Sequence, residues 1–472
     1  MAAVLWNDRD AAAATGGRST QPWRATGVAF DSRQVAPGDL FVALKGETTD
    51  GHRYVDKAFA GGAAAAMVAD RAGPAARGPL LLVPDTLAGL NDLARAARSR
   101  CAGRVCAVTG SVGKTGTKEM LRHVLKAQGP THVSEKSFNN HVGTPLSLAR
   151  MPASTAFGVF ELGTNAPGEI QPLAELVRPD VALITAIELV HGAAFDGAAG
   201  IAEEKTAIFS GLAAGGTAIV NGDSEFVGYQ VERANAAGAA RVVTFGTGDD
   251  HDVRLSDWRL DGGGTVIAAD VHGRHIDYRL GVWGRHLAIN SLAVLAAVEA
   301  MGGDVAAAAA ALADVAAPCG RGLRHRVALG SGEILLIDES YNCSPVALRA
   351  ALDVLKATAP ATGGRRIAVI GDMLELGGDS ARIHAAFADE IVSRDIDLAL
   401  LVGTEVAHLT SALPAQRRLD HVAAAADALA PLVEALRPGD VVMVKGSRRI
   451  GLETVVEGLL ARAERQPLVG NG

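Results

Sequence analysis

The sequence predicts an α/β protein of three domains. The chain has 472 residues, long enough for about two to four domains. Short apolar runs alternate with helical patterns along most of the chain, which is typical of mostly parallel sheets with helices on both faces. Polar side chains follow many of these runs, at the sheet edge where α/β proteins bind ligands. The predicted domains are a small N-terminal α/β domain (1–84), a central domain with a mostly parallel sheet (85–317) and a C-terminal Rossmann-like α/β domain (318–472).

The composition argues against several classes of protein. Hydrophobic residues make up 49% of the chain and charged residues 21%, as in a globular protein, and the 4% of aromatic residues implies aliphatic cores. The formal net charge of −7 and the lack of a long basic run argue against a nucleic-acid partner. Charges or glycines interrupt the apolar runs before membrane-spanning length, so we expect no membrane insertion. Four cysteines without a Cys-x-x-Cys pair, and a charged N-terminus, favour a cytoplasmic protein.

The N-terminal segment alternates short strands and helices. Ser32 and Arg33 follow one predicted strand, and Lys45 follows the next. These side chains could hold an anionic or nucleotide-like group, or they could belong to ordinary surface turns, and the pattern leaves both interpretations open. The predicted strands are Gly27–Asp31, Leu40–Leu44 and Ala63–Val68, with helices at Ala11–Ala14 and Tyr54–Ala60.

The stretch Arg104–Glu119, RVCAVTGSVGKTGTKE, predicts a phosphate-binding loop of the kind found in P-loop ATPases. An apolar strand at Val105–Val108 leads into glycines, and a helix is predicted over Lys118–Gln128. Glycines let backbone N–H groups close on phosphate oxygens, the lysine adds positive charge, and the threonine hydroxyl can bind Mg²⁺. The glycines are closer together than in the general pattern, but the strand–loop–helix context favours a nucleotide triphosphate. The loop residues are Thr109, Gly110, Ser111, Gly113, Lys114 and Thr115.

Other strand ends supply candidate metal ligands. Glu161 ends a predicted buried strand, and His191 follows another. Mg²⁺ on a triphosphate needs hard oxygen ligands, which Thr115 and Glu161 provide and which His191 could complete. A lone strand-end acid or histidine is more often structural, but in combination with the loop these residues predict a metal–phosphate site.

Lys205 lies on a predicted helix, Ile201–Phe209, and allows two interpretations. Such a lysine usually packs its stem against the protein and keeps its ammonium in water. A buried lysine instead has a lowered pKa and could react with carbon dioxide to give a carbamate, an anionic metal ligand. The sequence alone does not decide between them.

The rest of the chain follows the same α/β pattern. The apolar helix predicted over Gly284–Ala300 carries His286 and Asn290 on one face, either as a hydrogen-bonded core pair or for another hydrogen-bonding purpose. Arg254–Leu280 alternates as antiparallel strands do, and Pro318–Gly322 is a natural hinge. Strands are also predicted at Ile334–Asp338, Ile367–Ile370, Leu398–Val402 and Val441–Val444.

Eight stretches, in this order, resemble the Mur ligase family. The phosphate loop alone would fit many ATPases, whereas the Asp-Ser-Arg opening, the Gly-Asp-Met-x-Glu-Leu-Gly run and the Tyr-Asn-x-x-Pro run are much more specific. The resemblance spans all three segments. The stretches are DSRQVAPGDLFVALKGE (31–47), TGSVGKTGTKE (109–119), FNNHVGTPLSL (138–148), ELGTNAPGEI (161–170), GRHLAIN (284–290), DESYNCSP (338–345), GDMLELG (371–377) and VKGSR (444–448).

The resemblance implies roles for residues of the first two domains. The N-terminal domain would bind the UDP part of a substrate through Ser32, Arg33 and Lys45. In the central domain, Lys205 falls where the family carries a carbamylated lysine, and Asn290 would contact the adenine. The residues implied for ATP and Mg²⁺ are Gly113, Lys114, Thr115, Glu161 and His191, and those implied for substrate in FNNHVGTPLSL are Asn139 and Asn140.

The C-terminal ligase domain would complete the site. Lys445 and Arg448 would lie near the acceptor or the transferring phosphate. The residues implied to bring this domain against the nucleotide are Arg321, Asp338, Tyr341 and Asn342.

The implied reaction is ATP-dependent amide-bond formation in peptidoglycan precursor synthesis by a monomer. The partners would be UDP-N-acetylmuramoyl-tripeptide, whose carboxylate ATP converts to an acyl phosphate, and D-alanyl-D-alanine, whose amine attacks it. The alternatives are a sibling Mur ligase or a folylpolyglutamate-type synthase that adds a single amino acid, and a nucleotide-gated binding module without ligase chemistry. The implied catalytic residues are Lys114, Glu161, His191 and Lys205.

The chain departs from the family pattern at two positions. Ala186 stands where the family usually has an Asn after the Thr185 strand, and Cys343 replaces the usual Ala. Cys343 could react with thiol reagents, or it could be an inert small apolar residue.

Overall fold

The computed structural model describes residues 3–46, 48–69, 78–135, 138–188, 195–330 and 332–465. Its strands form three main sheets, within residues 18–83, 104–280 and 323–445, so the predicted three-domain α/β fold is confirmed. The domain boundaries themselves stay a prediction.

The N-terminal unit is a small sheet with helices packed on it. Its elements are β1 (Trp6–Asn7), α1 (Asp8–Thr15), β2 (Arg18–Ser19), β3 (Arg24–Ala25), β4 (Gly27–Ala29), β5 (Asp39–Val42), α2 (Val55–Ala60), β6 (Ala65–Ala69), β7 (Leu80–Val83) and α3 (Thr86–Arg100). The sheet order is β2-β7-β6-β5-β4, parallel except for β2, and β1 pairs separately with β3. Strand β7 was not predicted, because a four-residue apolar run does not by itself distinguish a strand from a helix.

The central unit places the phosphate-loop strand inside a large sheet. Its elements are β8 (Arg104–Thr109), α4 (Lys114–Lys126), β9 (Thr131–Val133), α5 (Gly143–Ala149), β10 (Phe157–Glu161), α6 (Ile170–Val177), β11 (Val181–Ile184), α7 (Gly197–Thr206), β12 (Thr217–Asn221), α8 (Val227–Ala236), β13 (Arg241–Gly246), β14 (Val253–Asp261), β15 (Gly264–Val271), β16 (Arg274–Leu280), α9 (Arg285–Ala300) and α10 (Val305–Ala311). Within the described residues the order is β16-β15-β14-β13-β12-β11-β8-β10-β9. Strands β8 to β14 are parallel, and β14 to β16 are antiparallel as predicted.

The C-terminal unit is a second mostly parallel sheet. Its elements are β17 (Leu323–Leu329), β18 (Gly332–Glu339), α11 (Pro345–Ala357), β19 (Arg366–Gly371), α12 (Ser380–Ser393), β20 (Leu398–Val402), α13 (Ala407–Ala412), β21 (Arg418–Val422), α14 (Ala425–Ala435), β22 (Val441–Lys445) and α15 (Glu453–Arg465). The order is β17-β18-β22-β19-β20-β21, and β17 alone among these described strands is antiparallel.

Two aliphatic cores sandwich the central sheet. Helices α4, α9 and α10 bury their apolar side chains on one face, and α6, α7 and α8 bury theirs on the other. Helix α9 is buried over most of its length, which explains its nearly continuous apolar sequence. The sheet is therefore covered on both faces, and its open carboxyl edge is left for the site.

The outer units are fastened to the central unit by specific contacts. Trp6 Nε1 donates a hydrogen bond to Ala149 O at the end of α5 (2.8 Å). On the other side, Arg324 of β17 stacks on the ring of Trp283, with 3.9 Å to the ring centroid. Among the described residues, no helix is both long and apolar enough to cross a membrane.

Candidate active site

Two glycines shape the loop between β8 and α4. Gly110 and Gly113 have φ angles of +146° and +87°, which glycine adopts without a steric penalty. Helix α4 begins at Lys114 rather than at the predicted Lys118, because Gly113 closes the loop and its carbonyl accepts the N–H of Thr117 at 2.9 Å. The first turn of a helix has N–H groups without intrahelical partners, and such a terminus attracts phosphate oxygens.

A segment after β11 supports this loop through its backbone. Ser111 N donates to Ala186 O (2.7 Å), and Ser111 Oγ both donates to Glu188 O and accepts the Glu188 N–H. Thr185 Oγ1 donates to Val112 O (2.6 Å). Because the contact at Ala186 uses a carbonyl that any residue supplies, the departure there leaves it intact. Thr185 and Glu188 were not predicted as site residues, since backbone-mediated support leaves no residue signature.

Lys114 lies inside the loop that it follows. Its Nζ donates to Gly110 O (2.5 Å) and to Ser111 O (3.1 Å). Burial lowers the pKa of Lys114. The negative charge of Glu161 opposes this shift, and the positive charge of Arg321 adds to it. The ammonium is therefore placed where the loop would meet phosphate. The side chain of Thr109, by contrast, is fully buried at the end of β8, where its Oγ1 donates a hydrogen bond to Leu162 O at 2.8 Å.

Glu161, at the end of β10, is the centre of a polar cluster. Thr115 Oγ1 donates to its carboxylate at 3.0 Å, and Asn139 Nδ2 donates to Oε1 at 2.9 Å. Lys118 is completely buried, with its Nζ 3.5 Å from Glu161 and 3.3 Å from Glu119. The cluster presents hydroxyl and carboxylate oxygens, the ligands that Mg²⁺ prefers.

Asn139 and Lys118 both contact Glu161 in this cluster. The Asn139 amide orients Glu161, and its predicted substrate contact stays a prediction. Lys118 was not predicted, although its position one helical turn after Thr115 puts both on one face of α4. Asn140, also predicted for substrate, accepts the Gly143 N–H at 2.9 Å and so caps the start of α5.

Lys205 fits the buried interpretation. The residue is only 4% exposed. Burial and the positive charge of Lys114 lower the pKa of Lys205 to about 7, against the opposing effect of Glu204 and Glu169. The amine is therefore partly uncharged near neutral pH.

His191 lies outside the described residues, so its role stays a prediction. Within the described part of the chain, no cluster of three or more His, Cys, Asp or Glu side chains is arranged to hold a metal ion.

Asn290 faces the phosphate loop from α9. A Cβ atom at Gly113 would lie 2.7 Å from Asn290 Nδ2, so the two are in direct contact. His286, one turn earlier, is exposed and lies instead against Gly284. His286 and Asn290 thus make different contacts.

A cleft of about 710 Å³ opens between α4 and the hinge before β17. Thr115 belongs to both the loop and this cleft, so the two are continuous. Arg321 stacks on the ring of Tyr341 at 4.2 Å from its centroid, and Arg448 lies 5.2 Å from the same centroid. The cleft therefore has a flat cationic and aromatic wall suited to a nucleoside. It is lined by Thr115, Glu119, Arg122, His123, Asp314–Cys319, Arg321 and Tyr341.

Asp338 and Lys445 are engaged within the C-terminal unit. Asp338 is buried and accepts the N–H of Gly320 at 2.8 Å, which fixes the hinge. Lys445 is buried, lies 3.3 Å from Glu339 and donates to Asn342 O at 3.0 Å. Asp338 therefore holds Gly320, which is next to Arg321 of the cleft, and Lys445 holds Asn342, which is next to Tyr341.

The predicted N-terminal residues are accessible. Arg33 is exposed and donates to both carboxylate oxygens of Asp31, which lowers the pKa of Asp31 to about 2. Lys45 is also exposed, and Ser32 is half-buried. They are available to an anionic ligand of the N-terminal unit.

Cys343 fits the inert interpretation. It is buried, and burial raises the pKa of its thiol to about 11. The thiol is therefore protonated at neutral pH and a poor nucleophile.

Gly113→Ala should weaken nucleotide binding at the loop. The substitution forces alanine to φ +87° and drives its Cβ into the Asn290 amide. We expect ADP affinity, measured by calorimetry, to fall by about 5- to 150-fold, since the penalty is on the order of 1–3 kcal/mol. Gly116→Ala on the same helix is the control, because its Cβ would meet only Leu287 at 3.8 Å. Equal ADP affinity in the two variants would contradict the assignment of the loop.

The fold and the site together define a class, a three-domain α/β protein with a phosphate loop at the carboxyl edge of its central sheet. Three family models match the chain: "Mur ligase family, catalytic domain" over 24–98, "Mur ligase middle domain" over 108–298 and "Mur ligase, glutamate ligase domain" over 323–448.

Curated relatives match along nearly the whole chain. UDP-N-acetylmuramoyl-tripeptide–D-alanyl-D-alanine ligase of Bacillus subtilis is 33% identical, with 92% of this chain and 93% of the relative covered. The protein of the same name from Escherichia coli is 34% identical with the same coverage. The chain therefore belongs to the Mur ligase family.

Solved structures agree in fold. A crystal structure of MurF from Acinetobacter baumannii superposes with a TM-score of 0.84 at 28% identity, covering 97% of this chain and 99% of that one. MurF ligase from Thermotoga maritima in complex with ADP gives a TM-score of 0.78 at 26% identity, with 93% and 98% covered.

Proposed function

We propose that the chain is an ATP-dependent ligase that joins D-alanyl-D-alanine to UDP-N-acetylmuramoyl-tripeptide in peptidoglycan precursor synthesis. One combined observation carries the proposal. The chain covers 93% of two relatives with this name, and Lys114, Thr115, Glu161 and Lys205 lie at one edge of its central sheet. We further propose that it acts as a monomer.

The donor set fits ATP and Mg²⁺. The glycine backbone and the first turn of α4 suit phosphate oxygens, and the Thr115 hydroxyl with the Glu161 carboxylate suits Mg²⁺. His191 is a further proposed ligand. ATP supplies the γ-phosphoryl group that turns the substrate carboxylate into an acyl phosphate, a far better electrophile.

The chain's own residues position and stabilise this transfer. Lys114 places its positive charge at the loop, where negative charge moves during phosphoryl transfer. Asn290 lies against Gly113 at the nucleotide side, and Arg321 with Tyr341 forms the wall proposed for the nucleoside. The buried Asp338 holds the hinge that carries this wall.

Lys205 is proposed to carry a carbamate that serves as a metal ligand. The neutral amine nitrogen would attack the carbon of carbon dioxide and lose a proton, leaving an N-bound carboxylate with one negative charge. Near-complete burial and a pKa of about 7 supply the neutral amine that this step needs.

The two outer units would deliver the substrates to the central site. Arg33, Ser32 and Lys45 are accessible for the UDP part, and the exposed Arg448 beside Tyr341 borders the cleft on the acceptor side. Lys445, whose Nζ lies 3.3 Å from the Glu339 carboxylate, would fix the position of this side of the cleft. Enclosure between units would keep water from the acyl phosphate while the amine attacks.

Phosphate release tests the proposed function directly. With ATP, Mg²⁺ and UDP-N-acetylmuramoyl-tripeptide, we expect sustained phosphate release only when D-alanyl-D-alanine is added, with a matching amount of ligated product by mass spectrometry. A single amino acid in place of the dipeptide should not substitute for it. Release that needs no acceptor, or a product with one added amino acid, would contradict the proposal.

A further inference from the structure

Glu204, the neighbour of Lys205 on α7, binds the start of another helix. Its carboxylate accepts three backbone N–H groups, from Gly168 at 2.6 Å, Glu169 at 3.1 Å and Ile170 at 2.8 Å. These are the groups at the N-terminus of α6, where a negative charge is favoured by the helix dipole. Glu204 is itself only 5% exposed, so the contact is a buried one.

This contact joins the two segments that carry the candidate metal ligands. Strand β10 ends at Glu161, and the chain then runs through 162–169 into α6. Lys205 lies on α7. The Glu204 carboxylate therefore ties the segment after Glu161 to the helix that holds Lys205.

We propose that Glu204 is a positioning residue for Lys205: by binding the N-terminus of α6, it fixes the rotation of α7 about its axis and so aims the lysine amine into the site. The inference rests on the proposed function of Lys205. Successive residues on a helix are about 100° apart, so the direction of Glu204 sets that of Lys205.

Other contacts of α7 constrain its rotation less directly. Asp196 precedes the helix without a side-chain hydrogen bond to its first turn. At the other end, Gly211 lies so close to α6 that a Cβ there would be 2.0 Å from Ala174 O, which fixes the separation of the two segments. Core packing of Ile201 and Ala202 and the close approach at Gly211 set the spacing, and the Glu204 carboxylate adds the directional contact with α6.

A small rotation would matter for the reaction. The amine of an extended lysine lies roughly 8 Å from the helix axis, so a turn of about 10° moves it by about 1.4 Å. A displacement of about 1 Å in a catalytic constellation can cost about 100-fold in rate. Glu204 is therefore well placed to affect turnover without touching substrate.

The test compares Glu204→Gln with Glu203→Gln. Glu203 is the exposed neighbour on the same helix, so its variant has the same loss of charge without the contact. The readouts are kcat, KM for UDP-N-acetylmuramoyl-tripeptide, and the carbamate signal of Lys205 in ¹³C NMR after exchange with labelled bicarbonate, assigned with Lys205→Ala. We expect Glu204→Gln to lower kcat at least about tenfold, with a weaker carbamate signal and KM within about twofold, as for a misplaced catalytic group. Glu203→Gln should match wild type.

Each result decides the inference. A folded Glu204→Gln protein with kcat and carbamate signal at wild-type levels, whatever its melting temperature, would overturn it, because the contact would then be merely structural. If Glu204→Gln does not fold, Glu204→Asp is judged by the same criteria, since it keeps the charge and shortens the reach. Wild-type protein without ligase activity would overturn the proposed function and the inference with it. Active wild type without a carbamate signal would overturn the modification alone, and kcat would still decide the positioning role.

Discussion

Lys114→Ala should eliminate ligation while leaving the fold intact. The Lys114 ammonium is the charge that the structure places within the phosphate loop, bonded to the carbonyls of Gly110 and Ser111. Without it, the charge that moves during phosphoryl transfer loses a preorganised partner, and such a loss costs at least about 10²–10³-fold in kcat. The measurement is acceptor-dependent phosphate release at saturating ATP.

Lys126→Ala is the matched control for this variant. Lys126 lies on the same helix but is exposed in its last turn. It should retain wild-type turnover, and both variants should keep the circular dichroism spectrum of the native protein. A folded Lys114→Ala protein that ligates at more than about a tenth of the wild-type rate would remove Lys114 from the catalytic set.

Lys205→Ala should lose most activity and regain part of it with added short carboxylates. If Lys205 carries a carbamate, the variant lacks an anionic group in a buried site next to Lys114. Formate, acetate or propionate can enter the space left by the side chain and supply that charge. We expect a fall of at least about 10²-fold in kcat, as for other single catalytic groups, and recovery that saturates with carboxylate concentration.

Lys114→Ala provides the control for rescue. Its missing group is a cation, so carboxylates should not restore it, whereas a nonspecific salt effect would act on both variants. No recovery of Lys205→Ala across acids of different size would count against the carbamate. Recovery with chloride to the same extent would count against it as well.

The local patterns in the sequence predicted much of the fold. Alternation of strand and helix patterns predicted three α/β units, and the structure has three main sheets in the expected order along the chain. The glycine loop, the antiparallel run ending at Leu280 and the apolar helix ending at Ala300 were also found where expected. These features depend on residues close together in sequence, so local periodicity and glycine positions suffice to predict them.

The helix after the loop shows the limit of local patterns. It begins at Lys114 and not at Lys118, because the left-handed backbone of Gly113 closes the loop one turn earlier. Propensity alone disfavours helix through the Gly-rich stretch. The close approach of Asn290 to Gly113, which only glycine permits, is a tertiary contact.

The sequence by itself determined the fold class, the phosphate loop and the set of polar residues at strand ends. Only the tertiary structure decided which of them meet. The sheet order sets β10 beside β8, so Glu161 meets Thr115 and the buried Lys118. The contact of Asn139 with Glu161 is likewise tertiary. The burial of Lys205 and the contact of Glu204 with α6 likewise depend on how α7 packs. The physical reason is that strand order and helix packing are fixed by contacts between distant parts of the chain, which no local pattern contains.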